Sequence, residues 1–323
     1  MARHDRTQDE LVTGVLGGDR RALARAITLV ETRSPEGEEI VRRVYSSTGR
    51  ATTIGVTGPP GVGKSTLVGA LTRHVRDLGR TVGVVSVDPS SPFTKGALLG
   101  DRIRLADHFL DPGVYIRSMG TRGHLGGLAE ATLEALLLVD ASGKDVIFLE
   151  TVGTGQSEVE VIGSADLVLL VLMPGSGDSV QALKAGIMEI PDVIAVNKLD
   201  HPAARMMAQE VRSIVALEPD RARRPAILLT EAVRGEGVPE LWDALETRQA
   251  ALAEGGELDV RRRRNLEGEV EALAVSRLRD RARSAMDEDA HVKELVNGVG
   301  RREVDPLTAV SALVEAVLEG SRS

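Results

Sequence analysis

The 323-residue chain carries a net charge of −8, which argues against broad, non-specific binding to nucleic acid. It contains no cysteine, and that excludes disulfides, cysteine-ligated zinc or iron–sulfur centres and thiol nucleophiles. Aromatic residues make up only 2% of the chain, so base-stacking platforms are not expected, and no apolar run reaches the roughly 18 residues of a membrane span. Because the N-terminus is polar and has no hydrophobic signal region, we predict a cytoplasmic protein that binds neither nucleic acid nor membrane.

Residues 1–50 are predicted to form a helical N-terminal extension. Apolar residues recur at steps of three and four over residues 11–16 and again over residues 23–30. The glycine pair at 17–18 separates these two helices, and Ser34-Pro35 begins a third. Packing against the rest of the fold is sufficient to explain this pattern.

Residues 51–245 change to short apolar runs that alternate with longer helical segments. Near-continuous runs of Val, Ile and Leu are typical of strands that are buried on both faces of a parallel sheet. The predicted strands are 52–58, 81–88, 114–118, 145–151, 166–173, 193–198 and 226–230. Helical segments between them make βαβ units, so the predicted fold class is α/β with a doubly wound, mostly parallel sheet.

Residues 246–323 change character again. They open with a glycine pair and four consecutive arginines, a run that is typical of a solvated helix start. Two amphipathic helices are predicted at about 266–286 and 307–318, with turns at Asn297-Gly298 and Asp305-Pro306. Because their apolar faces need a cover outside the α/β core, we interpret this segment as an arm that packs on another subunit.

The first predicted strand runs directly into a segment that matches the phosphate-binding pattern G-x-x-x-x-G-K-S/T. The segment consists of Gly58, Pro59, Pro60, Gly61, Val62, Gly63, Lys64, Ser65 and Thr66. Glycines let the backbone wrap a phosphate with its N–H groups pointing inward, and a helix is predicted to follow. We expect Lys64 to contact the β- and γ-phosphates of a nucleotide and the Ser65 hydroxyl to bind Mg²⁺.

Three carboxylates are candidates for a metal site. Asp88 and Glu150 end two predicted strands, and Asp101 lies in the segment that follows the first of them. Ligands of open parallel sheets bind beyond the carboxyl ends of the strands, so these groups are expected to hold Mg²⁺ or its waters, or to orient an attacking water. Asp88 also has the alternative of a turn or cap, since Pro89 follows it. The N–H of Gly153, three residues after Glu150, is spaced to reach a γ-phosphate and to sense its loss.

Within the sixth apolar run, Val193–Val196 is predicted to be the strand, and a base-reading segment, Asn197-Lys198-Leu199-Asp200, follows it. It suits guanine, because Asp200 accepts from N1–H and N2–H₂, which adenine cannot supply. Asn197 is expected to tether neighbouring loops, and the Lys198 stem to cover the ring. After the seventh strand, Glu231-Ala232-Val233 stands where GTPases commonly have a Ser-Ala pair whose backbone N–H contacts guanine O6. Any residue supplies that N–H, but a serine side-chain contact is lost.

Five segments together resemble the MeaB/ArgK family of GTPases: GPPGVGKST, VDPSSPFTKGALLGDRIRL, ETVGTGQSEVEV, PGSGDSVQALKAGIMEI and NKLD. The members of this family are G-protein chaperones of adenosylcobalamin-dependent methylmalonyl-CoA mutase and related acyl-CoA mutases. The resemblance covers about residues 8–320. It implies a P-loop GTPase domain of the signal-recognition/MinD-like class over residues 51–245 and a homodimer made through the arm at 246–323. It also implies GTP/GDP and Mg²⁺ as cofactors, and slow hydrolysis that the mutase accelerates.

The resemblance also assigns roles to single residues. Residues 150–153 fit the Glu-Thr-Val-Gly segment that replaces D-x-x-G in this family. Asp178, Gln181 and Lys184 fit its third switch, which takes part in partner-dependent activation; by themselves they are equally typical of a helix start. The candidate catalytic residues are Lys64, Glu150, Gly153, Asp178, Gln181 and Lys184. The candidate Mg²⁺ ligands are Ser65, Asp88, Asp101 and Glu150.

Two other functions are compatible with parts of this pattern. A nickel metallochaperone GTPase would need clusters of cysteine and histidine, whereas this chain has no cysteine and only six scattered histidines. A kinase that phosphorylates a periplasmic amino-acid-binding protein would need an acceptor-binding region, which is not evident, and the N-K-x-D segment favours GTP over ATP. The leading hypothesis is therefore a GTPase that gates cofactor loading and protection of a mutase.

Overall fold

The computed structural model describes residues 6–88, 106–120, 127–151, 164–175 and 191–319. Its centre is one sheet of seven strands in the order β3-β2-β4-β1-β5-β6-β7, and all neighbouring strands run parallel. The strands are β1 (Thr52–Thr57), β2 (Val82–Asp88), β3 (Val114–Gly120), β4 (Val146–Thr151), β5 (Leu167–Leu172), β6 (Val193–Val196) and β7 (Ala226–Leu229). Every residue of β4, β5 and β6 is buried, as the continuous apolar runs predict. The α/β prediction and all seven predicted strands are confirmed.

Helices flank this sheet and follow it along the chain. They are α1 (Gln8–Leu16), α2 (Arg20–Glu31), α3 (Pro35–Val44), α4 (Lys64–Asp77), α5 (Gly127–Ala141), α6 (Ala204–Val215), α7 (Val238–Glu254), α8 (Glu257–Glu288), α9 (Ala290–Gly300) and α10 (Pro306–Glu319). None of these described helices is both long enough and apolar enough to cross a bilayer.

The three N-terminal helices begin at side-chain caps. Thr7 and Glu10 form a reciprocal capping box at α1, Asp19 caps α2, and Ser34 caps α3 just before Pro35. Their apolar residues join α5 and one face of β2, β3 and β4 in a single core cluster. The N-terminal extension is therefore built into the same compact unit as the sheet, which spans residues 1–266.

The opposite face of the sheet is covered by α4 and α7. Their apolar residues share a cluster with Val82, Val84, Val146 and Phe148 of the central strands. The sequence predicts that the α/β core ends near residue 245. Helix α7 continues past this residue, and Leu252 and Leu258 are also buried in this cluster. The core therefore extends past 245, because the apolar spacing continues through α7 into the start of α8.

The four-arginine run at 261–264 is only partly solvated. Arg261 pairs with the buried carboxylate of Asp192 at 2.6 Å, and Arg262 pairs with that of Asp166 at 2.7 Å. The prediction of a solvated helix start is wrong for these two arginines, because α8 begins against the edge of the sheet. Arg263 and Arg264 are exposed.

Residues 267–323 form a second compact unit, which contains most of α8 together with α9 and α10. The turn predicted at Asn297-Gly298 is wrong, because both residues lie inside α9. A Cβ at position 298 would lie 2.8 Å from Cγ2 of Val304, so this glycine lets the chain fold back closely after the helix ends. The turn before α10 lies at residues 301–304 rather than at Asp305-Pro306, because Asp305 caps α10 and Pro306 is its first residue.

Candidate functional site

The glycine-rich segment connects β1 to α4 at the carboxyl-terminal edge of the sheet. Gly58 has φ +141°, and a Cβ there would meet the backbone carbonyl of Val171 in β5. Gly63 has φ +93°, and a Cβ there would lie 2.7 Å from Nδ2 of Asn197. Both positions therefore need glycine for two separate reasons, the backbone conformation and the close approach of a neighbour. The loop leads into the N-terminus of α4, whose first N–H groups favour an anion.

Lys64 begins α4 and is 7% exposed. Its ammonium donates to the carbonyl oxygens of Gly58 at 2.6 Å and Pro59 at 3.3 Å, so it lies back across the loop. A cation held in this way is positioned to exchange carbonyl oxygens for phosphate oxygens.

The next residue, Ser65, contacts the end of β4. Its hydroxyl donates to Oε1 of Glu150 at 2.5 Å, and the two residues are 4% and 1% exposed. They are 85 residues apart in the chain. A hydroxyl and a carboxylate in one buried pair are hard oxygen ligands of the kind that Mg²⁺ prefers, so the donor set fits this metal. Within the described part of the chain, no three acidic or histidine residues cluster as a metal site.

Asn197 joins three segments at the end of β6. Its Nδ2 donates to the carbonyl of Val62 in the phosphate loop at 2.9 Å. Its Oδ1 accepts from the hydroxyl of Thr230 and from the backbone N–H of Ala232, each at 3.2 Å. This residue is 3% exposed, and its contacts hold the base-reading segments beside the phosphate loop.

The other residues of the base-reading segments differ in exposure. Lys198 has φ +61° and is exposed, and Asp200 is exposed as well. Glu231 is 8% exposed and pairs with Arg234 at 3.0 Å, while Val233 is 83% exposed. The buried carboxylate of Glu231 is thus neutralised by Arg234, and the apolar side chain of Val233 is exposed to solvent.

Several predicted residues cannot be placed in this geometry. Asp101, Gly153, Asp178, Gln181 and Lys184 lie outside the described residues. The backbone of Asp88 ends β2 at the same edge as Glu150, since Val87 pairs in register with Thr151. Thr230, which holds Asn197, was not among the predicted site residues, and nothing local in the sequence marks this contact across 33 positions.

Comparison with known proteins agrees with this geometry. The family model described as methylmalonyl-CoA mutase-associated GTPase MeaB matches residues 23–287. The chain belongs to this family. It is therefore a P-loop GTPase, a GTP hydrolase, as the resemblance implies.

Similar proteins extend over nearly the whole chain. A protein of Pyrococcus abyssi is 44% identical over 319 residues, which cover 98% of each sequence. The mitochondrial methylmalonic aciduria type A homolog of Mus musculus is 37% identical, over 80% of this chain and 67% of its own length. A crystal structure titled LAO/AO transport system kinase is 25% identical with a TM-score of 0.70, and the match covers 98% of this chain and all of that one.

Proposed function

We propose that this protein is a Mg²⁺-dependent GTPase that acts as a G-protein chaperone for an adenosylcobalamin-dependent acyl-CoA mutase, with methylmalonyl-CoA mutase as the first candidate. The family description and the mouse relative support the mutase class. The guanine assignment is supported above all by Asn197, which holds the N-K-x-D segment against the phosphate loop.

In this proposal the phosphate groups bind to the loop of residues 58–66 and to Lys64. Asp200 accepts from guanine N1–H and N2–H₂, and the Lys198 stem covers the base. The backbone at Glu231-Ala232-Val233 closes the site near O6. The N–H of Ala232 donates to Oδ1 of Asn197, and this contact holds the loop beside the N-K-x-D segment.

Ser65 and Glu150 would hold Mg²⁺, with Asp88 and Asp101 as further candidate ligands. When bound, the metal neutralises charge on the β- and γ-phosphates. Gly153 would sense the γ-phosphate, and Asp178, Gln181 and Lys184 would act when the mutase binds.

Nucleotide choice is the first test. We expect tight binding of GTP and GDP and weak binding of ATP in a titration. Asp200→Ala should weaken GTP binding by about 2–4 kcal/mol, because both hydrogen bonds to the charged carboxylate are lost. Asp200→Asn should shift preference toward xanthine nucleotides, whose O2 accepts from the new amide. Equal affinity for ATP and GTP in the wild-type protein would contradict the guanine assignment.

Stimulation by the mutase is the second test. Lys184→Ala should leave basal phosphate release nearly unchanged and abolish its stimulation by added mutase, since Lys184 reaches the γ-phosphate only in the complex and stabilises transition-state charge there. A variant that is stimulated as strongly as wild type would contradict the third-switch role. Equal loss of basal and stimulated rates would place Lys184 in the preformed site.

Homodimer formation is part of the proposal. In the second unit several large apolar side chains are open: Val270, Leu278, Leu307, Val310, Val314 and Leu318 are between 49% and 77% exposed. Leu273, Leu313 and Val317 lie on the same helices and are half-buried. We expect full-length protein carrying Val310→Asp and Val314→Asp to be monomeric by light scattering and still to bind GDP. A variant that remains dimeric would contradict dimerisation through these helices.

A protein kinase is the second candidate, because the matched crystal structure carries a kinase title. The two functions differ in the acceptor of the γ-phosphate, which is water in a GTPase and a side chain in a kinase. Incubation with GTP labelled at the γ-phosphate should therefore yield inorganic phosphate only. Stoichiometric label on a periplasmic amino-acid-binding protein would favour the kinase.

A further inference from the structure

Ser86 lies beside the candidate metal site but is not part of the established pattern of this site. It is the third residue from the end of β2, and it pairs in register with Glu150 of β4. Val82 and Val84 of β2 share a core cluster with Val146 and Phe148 of β4 and with the apolar face of α4. Because side chains alternate along a strand, Ser86 and Glu150 lie on that same face, toward the helix that begins with Lys64 and Ser65.

The Ser86 hydroxyl is buried without a hydrogen-bond partner among the described residues. The residue is 2% exposed, and no donor or acceptor of the described part of the chain reaches its Oγ. A buried hydroxyl without a partner is unfavourable, and an alanine would fill this strand position without that cost. This observation points to a state of the site in which the hydroxyl is used.

We propose that Ser86 is a positioning residue for Mg²⁺ binding, and this inference rests on the proposed metal site. In the present structure the Glu150 carboxylate accepts the hydroxyl of Ser65 at 2.5 Å. If the Ser65 oxygen were bound to the metal, the Glu150 carboxylate would lose this donor. Ser86 lies on the adjacent strand, about 4.8 Å away across the sheet, and its hydroxyl would supply another donor. Its hydroxyl then donates to Glu150 and fixes the orientation of that carboxylate.

Thr72 supplies a matched control. Its hydroxyl is also fully buried and also lacks a hydrogen-bond partner within the described residues. It lies seven residues after Ser65 in α4, about 10 Å along the helix, so it is too far from the Ser65–Glu150 pair to act on it. Thr72→Val and Ser86→Ala therefore both remove an unpartnered buried hydroxyl, but only one of them removes it beside Glu150.

The experiment measures release of a fluorescent GDP analogue as a function of free Mg²⁺, for wild type, Ser86→Ala, Ser86→Thr and Thr72→Val. For Ser86→Ala we expect the Mg²⁺ concentration at half-maximal retention to rise at least about tenfold, the effect of one hydrogen bond to a charged group. Ser86→Thr should restore the wild-type midpoint because it keeps the hydroxyl, and Thr72→Val should not shift it. Release in excess EDTA should be the same for all four proteins.

Each other outcome overturns the assignment in a different way. A wild-type midpoint in Ser86→Ala would show that the hydroxyl does not serve the metal site. An equal shift in Thr72→Val, or faster release of Ser86→Ala in EDTA, would assign Ser86 to packing or to nucleotide contacts instead. Retention that does not depend on Mg²⁺ in the wild-type protein would refute the proposed metal site itself, and this assignment with it. Fluorescence of the single tryptophan, Trp242, reports in the same samples that each variant is folded.

Discussion

The two edges of the sheet use charged residues in different ways. At the amino-terminal edge, Asp145, Asp166 and Asp192 each accept a backbone N–H at the start of a neighbouring strand, from Thr81, Thr53 and Val168 respectively. The buried carboxylate of Asp192 forms salt bridges with Arg248 of α7 and Arg261 of α8, and that of Asp166 forms one with Arg262 of α8. At this edge, charges join one part of the chain to another.

At the carboxyl-terminal edge, the polar groups lie around the glycine-rich loop of the proposed nucleotide site. Lys64 donates to carbonyls of its own loop, Ser65 contacts Glu150, and the Ser86 hydroxyl has no hydrogen-bond partner within the described residues. The difference teaches that burial of a charge does not by itself mark a functional site. What distinguishes the two edges is whether the partners are permanent parts of the fold or groups that a nucleotide would replace.

The largest expected effect on stability belongs to the amino-terminal edge. Asp192→Ala leaves Arg248 and Arg261 without their carboxylate and Val168 N–H without its acceptor, so the free energy of unfolding should fall by about 3 kcal/mol. Urea unfolding followed by Trp242 fluorescence measures this. The exposed neighbour Arg263 is the control, because Arg263→Ala should change stability by less than about 0.5 kcal/mol. An Asp192→Ala protein that keeps its stability but no longer hydrolyses GTP would contradict the proposed difference between the two edges of the sheet.

At the carboxyl-terminal edge, Lys64→Ala should reduce GTP hydrolysis strongly and change stability little. We expect kcat/KM for GTP to fall about 100-fold, since the proposed site loses a donor to the transferring phosphate. The free energy of unfolding should change by less than about 1 kcal/mol, because the loss of the hydrogen bonds to the Gly58 and Pro59 carbonyls is offset by the removal of a buried cation. Phosphate release and urea unfolding on one preparation test both statements. A large loss of stability would mean that Lys64 is a structural residue.

A smaller effect separates two glycines with similar backbone angles. Gly63→Ala forces a Cβ to within 2.7 Å of the Asn197 amide at φ +93°, so GDP affinity should fall about tenfold. Gly79, after α4, has φ +82° with open space around it. Gly79→Ala should therefore cost about 1 kcal/mol of stability without changing GDP affinity. Equal loss of affinity in both variants, measured by titration, would show that backbone strain alone disturbs the site.

The smallest effect concerns pH at the amino-terminal edge. The hydrogen bond from Arg76 lowers the pKa of Asp111 below its ordinary value. A carboxyl whose pKa is lower in the folded state stabilises the fold above its unfolded pKa of about 3.9, and this contribution is lost as pH falls through the folded value. Arg76→Ala should thus reduce the free energy of unfolding by at most about 1 kcal/mol at pH 7. The difference from wild type should shrink as pH falls below about 4.

The matched control for that pair is Arg73, whose ion pair with Asp107 is largely exposed. Arg73→Ala should leave the pH profile of unfolding unchanged, since solvent screens this pair. A difference between Arg76→Ala and wild type that persists unchanged at pH 2 would show that Arg76 acts through packing rather than through Asp111.

Local signals in the sequence were enough to predict the positions of the strands and of the two segments proposed to bind nucleotide. A buried parallel strand is a continuous apolar run, and the phosphate loop and N-K-x-D are each contiguous, so periodicity and spacing located them. The same local reasoning misplaced a turn at Asn297-Gly298, because a glycine within a helix can serve close packing, here against Val304. It also treated Arg261 and Arg262 as solvated, since their partners stand 69 and 96 residues away.

The sequence by itself thus determined the fold class and located the glycine-rich loop and the N-K-x-D segment, because each rests on neighbouring residues. Only the tertiary structure decided which distant groups meet. Strand order places β4 beside β1 and β2, and this brings Glu150 to Ser65 and sets Ser86 next to it. Likewise, Asn197 reaches Val62 across 135 residues because β6 and the phosphate loop end at the same edge. Such contacts depend on how the chain returns to one sheet, which no local pattern of residues encodes.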